Sequence, residues 1–157
     1  MKYLQLTKEQ FEELHEEFAV FLAAQSIDVK EWETIKKEKP ELADKELNIF
    51  SDFVWEKVLN KAGYLEHFSS DTLNLFRCSD SGMDRIVVKI KKEGFNFLDQ
   101  NDFNWFLDNS KDSRIEYLKG NKAYKKERNT EIFELIQQGS VVSNGELFEG
   151  ILKIISK

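Results

Sequence analysis

The sequence predicts an α+β protein with N-terminal helices, a small antiparallel sheet of two or three strands in the middle, and C-terminal helices. Three observations carry this. Apolar residues recur at helical spacing from Phe11 to Leu59, the period changes to alternation from residue 72, and helical spacing returns after residue 129. Blocks segregated in this way indicate α+β, not a parallel α/β sheet. The length of 157 residues fits one compact domain over 1–157, with thirteen Phe and three Trp as its main core material.

The first helix starts at a capping-box pattern, Thr7 to Gln10. Phe11, Leu14, Phe18, Phe21 and Leu22 form its apolar stripe, and Glu9, Glu12, Glu13, Glu16 and Glu17 its solvent face. A short second helix is expected from Asp28, with Glu31 completing its box. Pro40 opens a third, which suits a first turn. Ile49, Phe50, Phe53, Val54, Trp55, Val58 and Leu59 make this helix apolar on nearly every side, which predicts a buried centre. Gly63 terminates it.

"TLNLFRC", "SDSGM" and "DRIVVKIKK" read as strand, turn and strand. This hairpin puts Leu73 and Leu75 on one face, matched by Ile86, Val88 and Ile90. "NDFNWFLDN" reads as a short helix and "SRIEYLKG" as a third strand, which a marginal two-stranded hairpin needs. In the tail, "NTEIFELIQQG" is a helix capped by Asn129 or Thr130 and closed by Gly139. A last helix follows, with Ser143 three residues before Glu146, and Leu147, Phe148, Ile151, Leu152 and Ile155 on its apolar face.

One Cys excludes an intrachain disulfide and suits a reducing compartment, so a cytoplasmic location is expected. The longest apolar run, "FAVFLAA", is far short of a membrane span, and no membrane association is expected. The net charge of −6 is uneven: residues 1–60 carry −6 and residues 111–128 carry +4.

Reactive residue types are scarce. Glu12 and His15 form half of a carboxylate-bridged di-iron motif, but the residue three before the other histidine, His67, is Tyr64. The motif cannot be completed, and His15 is expected as a partly buried, hydrogen-bonded side chain on the apolar face. No metal or cofactor is expected. Phosphate-loop, dinucleotide, zinc-protease, serine-hydrolase and Cys-x-x-Cys patterns are all missing from the sequence, which lowers the case for an enzyme. The sharpest candidate is "GYLEHFSSDTLNLFRC", where Tyr64, Glu66, His67 and Cys78 mark a binding site. A Cys–His contact would be needed for a thiolate nucleophile, and distance decides it. A second candidate is the basic stripe of Lys119, Lys122, Lys125, Lys126 and Arg128, with Tyr117 and Tyr124. It suits an anion or a nucleic-acid backbone, or the acidic face, residues 9–17, of a second copy. Net negative charge opposes the nucleic-acid use.

The opening "YLQLTKEQFEELHEEFAVFLAAQSID", the central "FSDFVWEKVLNKAGYLEH" and the closing "EIFELIQQGSVVSNGELFEGIL" resemble a small family of unknown function, short cytosolic proteins of the Bacteroidetes. The resemblance spans most of the chain, implies no activity, and directs attention to "YLEH" (64–67) and "NGELF" (144–148). The leading functional expectation is a protein-binding or regulatory module without catalysis, contacting a protein partner or itself. The second is a small-molecule site near Tyr64, Glu66 and His67, and the third is nucleic-acid binding through 119–128.

Overall fold

A computed structural model describes residues 1–156. The chain is a mixed α+β protein that forms two compact units, Met1–Asn60 and Lys61–Lys157. Among the described residues, no helix is long and apolar enough to cross a membrane.

The first unit is helical. The capping box at Thr7 is present, with Thr7 Oγ1 accepting from the Gln10 N–H and Gln10 Oε1 from the Thr7 N–H. The expected first helix is broken at Leu14 into α1 (Lys8–Glu13) and α2 (His15–Ala23). At the break the His15 ring Nδ1 lies 2.9 Å from the Glu12 carbonyl, an acceptor the continuing helix would also use. The break turns His15 out of the apolar stripe: the side chain is exposed, not partly buried as its spacing implied. Next come α3 (Val29–Glu38), capped by Asp28, and α4 (Pro40–Lys61). Leu22, Trp32 and Ala43 form a buried cluster, against which Phe18, Phe21, Ile27, Ile35 and Leu47 pack. The Phe18 ring meets Trp32 edge-on at 5.2 Å. The expectation that α4 is buried on nearly every side does not hold. Phe50, Ser51 and Leu59 are buried, but Leu42, Ile49 and Phe53, seven and four residues apart, form an exposed stripe.

The second unit is built on a five-stranded antiparallel sheet, larger than the two or three strands expected. Its strands are β1 (Tyr64–Phe68), β2 (Thr72–Cys78), β3 (Gly82–Ile90), β4 (Ile115–Ala123) and β5 (Val141–Ser143), in the order β4-β3-β2-β1-β5. Helix α5 (Gln100–Asp108) lies between β3 and β4 in sequence, α6 (Arg128–Gln137) between β4 and β5, and α7 (Glu146–Ile155) is the last element among the described residues. The β2–β3 hairpin has the expected faces, with Leu73 opposite Val88 and Leu75 opposite Ile86. The two additional strands flank Gly63 and Gly139, where short runs of β-formers follow helix ends.

Alternation sends Leu73, Leu75, Ile86, Val88 and Ile115 to one face. There they meet Phe97, Phe106, Phe148 and Ile151 from α5, α7 and the segment before α5. Full burial of each large side chain contributes on the order of 1.5–3 kcal/mol. Arg77 fixes α7 to this face: it bonds Asp84 at 3.0 Å and Glu149 at 2.8 Å while lying over the Phe148 ring at 5.0 Å. Helix α7 begins at Glu146 after a left-handed Gly145 (φ 84), not at the Ser143 cap its spacing suggested. Asn144 Oδ1 instead accepts from the Glu146 N–H. Helix α6 starts two or three residues earlier than expected, at Arg128, so Asn129 and Thr130 fall inside its first turn.

Candidate functional site

The opposite face of the sheet is only partly covered. Its alternating positions carry Leu65 and His67 of β1, Asn74 and Phe76 of β2, Met83, Arg85 and Val87 of β3, and Leu118, Gly120 and Lys122 of β4. Helix α6 forms the wall of a cleft of about 700 Å³ over this face. It presents Glu131, Glu134, Leu135 and Gln138, whose spacing of three, four and seven places them on one helical face. The floor is apolar (Phe76, Val87, Leu118), and His67, Asn74 and Arg85 also line the cleft.

Arg85 is held in a set orientation. Its Nε and one terminal nitrogen donate to Asn74 Oδ1 at 3.1 and 2.5 Å, and its guanidinium lies over the Phe76 ring at 5.6 Å. Three of its five N–H donors then have no protein acceptor, and it pairs with no carboxylate among the described residues. The acids of the wall are spent. Glu131 takes Lys122 Nζ at 2.8 Å and the Lys126 backbone N–H at 3.2 Å, and Glu134 takes Lys126 Nζ at 2.6 Å. The Lys122 contact first, and the backbone bonds after it, hold the Glu131 carboxyl below its usual range.

The sequence candidates disperse over the unit. Tyr64 and Glu66 lie on the core face, where Tyr64 packs on Phe148 at 5.9 Å. Burial raises the Glu66 carboxyl above its ordinary value, opposed by a hydrogen bond with Ser143. His67 lies on the cleft face, directly across from Asn74. A Cβ on Gly139 (φ 113) would fall 3.2 Å from His67 Nε2, so the α6 terminus backs directly onto the imidazole. Cys78 shares this face but stands four residues along β2 from Asn74, about 13 Å at ~3.3 Å per residue. That is beyond hydrogen-bond reach of His67. Burial pushes the Cys78 thiol up to about 11, against the pull of Arg128.

The basic stripe also divides. Lys122 and Lys126 are in the ion pairs just described. Arg128 braces the fold, donating to the Ala62 carbonyl at 2.5 Å and the Ser79 carbonyl at 3.2 Å. Lys119 and Lys125 are exposed and make no ion pair among the described residues. No three His, Cys, Asp or Glu side chains among the described residues converge as a metal site.

Arg85, Asn74 and Phe76 are not marked by the hairpin alternation, which singles out only Leu73, Leu75, Ile86, Val88 and Ile90 on the other face. The available signal was that "NLF" and "IVV" leave apolar residues on both faces, the mark of a sheet with two coverings. No curated protein and no solved structure matches the chain. A family model, the family of unknown function DUF6495, matches residues 1–156, and the chain belongs to that family.

Proposed function

We propose that the chain is a non-catalytic binding module, working in the reducing cytoplasm, whose ligand site is the cleft between the sheet and α6. The ligand is amphipathic and anionic: an apolar body on Phe76, Val87 and Leu118, and a carboxylate or similar group on Arg85. The observation that carries this reading is the preset Arg85, forked to Asn74 and lying over Phe76, with three donors left over a concave apolar floor. A guanidinium binds a planar carboxylate through paired donors, and pre-orientation lowers the ordering cost of binding. A binding role needs no nucleophile, in keeping with a protonated, distant Cys78.

The test is a titration of the ¹⁵N-labelled full chain with 2-naphthoate, an aromatic carboxylate, followed by amide and arginine side-chain shifts. Saturable changes grouped at Asn74, Arg85, Leu118 and Gly120 are expected. Shifts scattered over the surface, or none up to millimolar probe, would remove the reading.

A further inference from the structure

Strand β4 is the edge of the sheet, and its free side is accessible. Residues Leu118 to Ala123 are all exposed. The direction of its backbone groups follows from the ladder. The Lys91 N–H donates to the Arg114 carbonyl, in the register that pairs Ile90 with Ile115. On the far side of β3, the Ser79 N–H donates to the Gly82 carbonyl, so even-numbered residues of β3 bond toward β2 and odd-numbered ones toward β4. Even-numbered residues of β4 therefore bond β3. Tyr117, Lys119 and Asn121 point their N–H and C=O groups away from the sheet, and no backbone hydrogen bond ties these groups down among the described residues.

This edge opens directly onto the cleft. Gly120 stands across from Arg85 on the cleft face, and a Cβ built there would meet nothing within 4 Å. The rim of the cleft is thus missing one side chain at the level of Arg85. A strand added beside β4 would lie about 10 Å from β3, two strand spacings away. A side chain on that strand, passing over Gly120, enters the open end of the cleft. Lys119 on the edge and Lys125 just after it are exposed and make no ion pair among the described residues, whereas Lys122 is taken by Glu131, so the charge here favours an acidic partner. The two lysines also disfavour pairing with a second copy of the same strand. The opposite edge, β5, has only three residues.

We propose that β4 accepts an extended acidic peptide segment of a partner protein by strand addition, with one side chain of that segment entering the cleft over Gly120 and its acids facing Lys119 and Lys125. This rests on the cleft reading above and names its ligand. Main-chain bonds to Tyr117, Lys119 and Asn121 supply affinity, and alternate side chains entering the cleft supply selectivity.

The experiment pans a random dodecapeptide phage library on the immobilised full chain and uses the synthetic consensus peptide as probe. Expected is a consensus of alternating apolar residues with Asp or Glu. The peptide should slow amide exchange at Tyr117, Lys119 and Asn121 by at least ~10-fold while leaving Leu118 and Gly120, already bonded to β3, little changed. Gly120→Leu fills the gap from a Cβ position that meets nothing within 4 Å and should weaken the peptide by at least ~10-fold. Asn121→Pro, which removes an outward N–H and no bond to β3, should weaken it too, whereas Asn121→Ala should not. No consensus, or a peptide that binds without protecting those alternate amides, overturns strand addition. If 2-naphthoate still saturates the cleft in that case, the cleft reading stands alone; if it does not, both fail.

Discussion

Arg85 and Asn74 face each other's neighbours across the β2–β3 ladder, and two guanidinium donors meet the single Asn74 side-chain oxygen at 3.1 and 2.5 Å. An amide oxygen orients the arginine without neutralising it. Asn74→Asp would place a carboxylate in the same position and satisfy the cation internally. That variant should fold at least as well as the native chain and bind 2-naphthoate at least ~10-fold more weakly, since a built-in anion competes with the ligand. Calorimetric titration of the two proteins reads this directly; equal affinity would show that the Arg85 charge is not what the ligand meets.

Gly145 is required twice over. Its φ of 84 favours glycine, and a Cβ there would lie 2.5 Å from the Tyr64 ring, itself packed on Phe148. Gly145→Ala should cost about 2 kcal/mol or more in urea unfolding, combining left-handed strain with the displaced ring. A loss of only a few tenths would mean that Tyr64 moves freely, contrary to the packing described.

The Cys78 thiol, with its ordinary value of 9.0 pushed up to about 11, stays protonated at pH 8. Its thiolate fraction is then about 100-fold below that of an unshifted cysteine, and burial slows access further. Iodoacetamide should modify the native chain at least ~100-fold more slowly than the chain in guanidinium. Native modification at the denatured rate would place Cys78 at an open surface.

Glu131 ties its pairing to pH. Its folded value lies below the ordinary 4.5, so the stability it contributes is complete above that value and is lost as pH falls through the folded one. Glu131→Gln should lower stability by about 1 kcal/mol at pH 7, a modest figure because Lys122 is half exposed. The gap to the native protein should close as pH drops from 4.5. A pH-independent gap would assign the loss to packing instead of charge.

The fold class was legible because its signals are local. The Thr7 box, the Leu73/Leu75 and Ile86/Val88 alternation, and the short helix in "NDFNWFLDN" each sit within a few residues. β1 and β5 were not, since a five-residue and a three-residue strand are specified by their pairing to each other and to β2, not by their own periodicity. The candidate site was half legible. His67 was singled out and does line the cleft, but adjacency in sequence grouped it with Glu66, and strand alternation sends those two to opposite faces. Arg85 carries no local mark in the sequence, because the wall that makes it a cleft residue, α6, comes more than forty positions later.

The most direct test of the central claim compares 2-naphthoate affinity in the native chain and in Arg85→Gln at low ionic strength, with dispersed amide spectra confirming that both fold. Arg85→Gln is expected to bind at least ~10-fold more weakly, and the native affinity to fall as salt is added. Equal affinity in the two proteins, unaffected by salt, would contradict the assignment of the cleft as an anion-binding site.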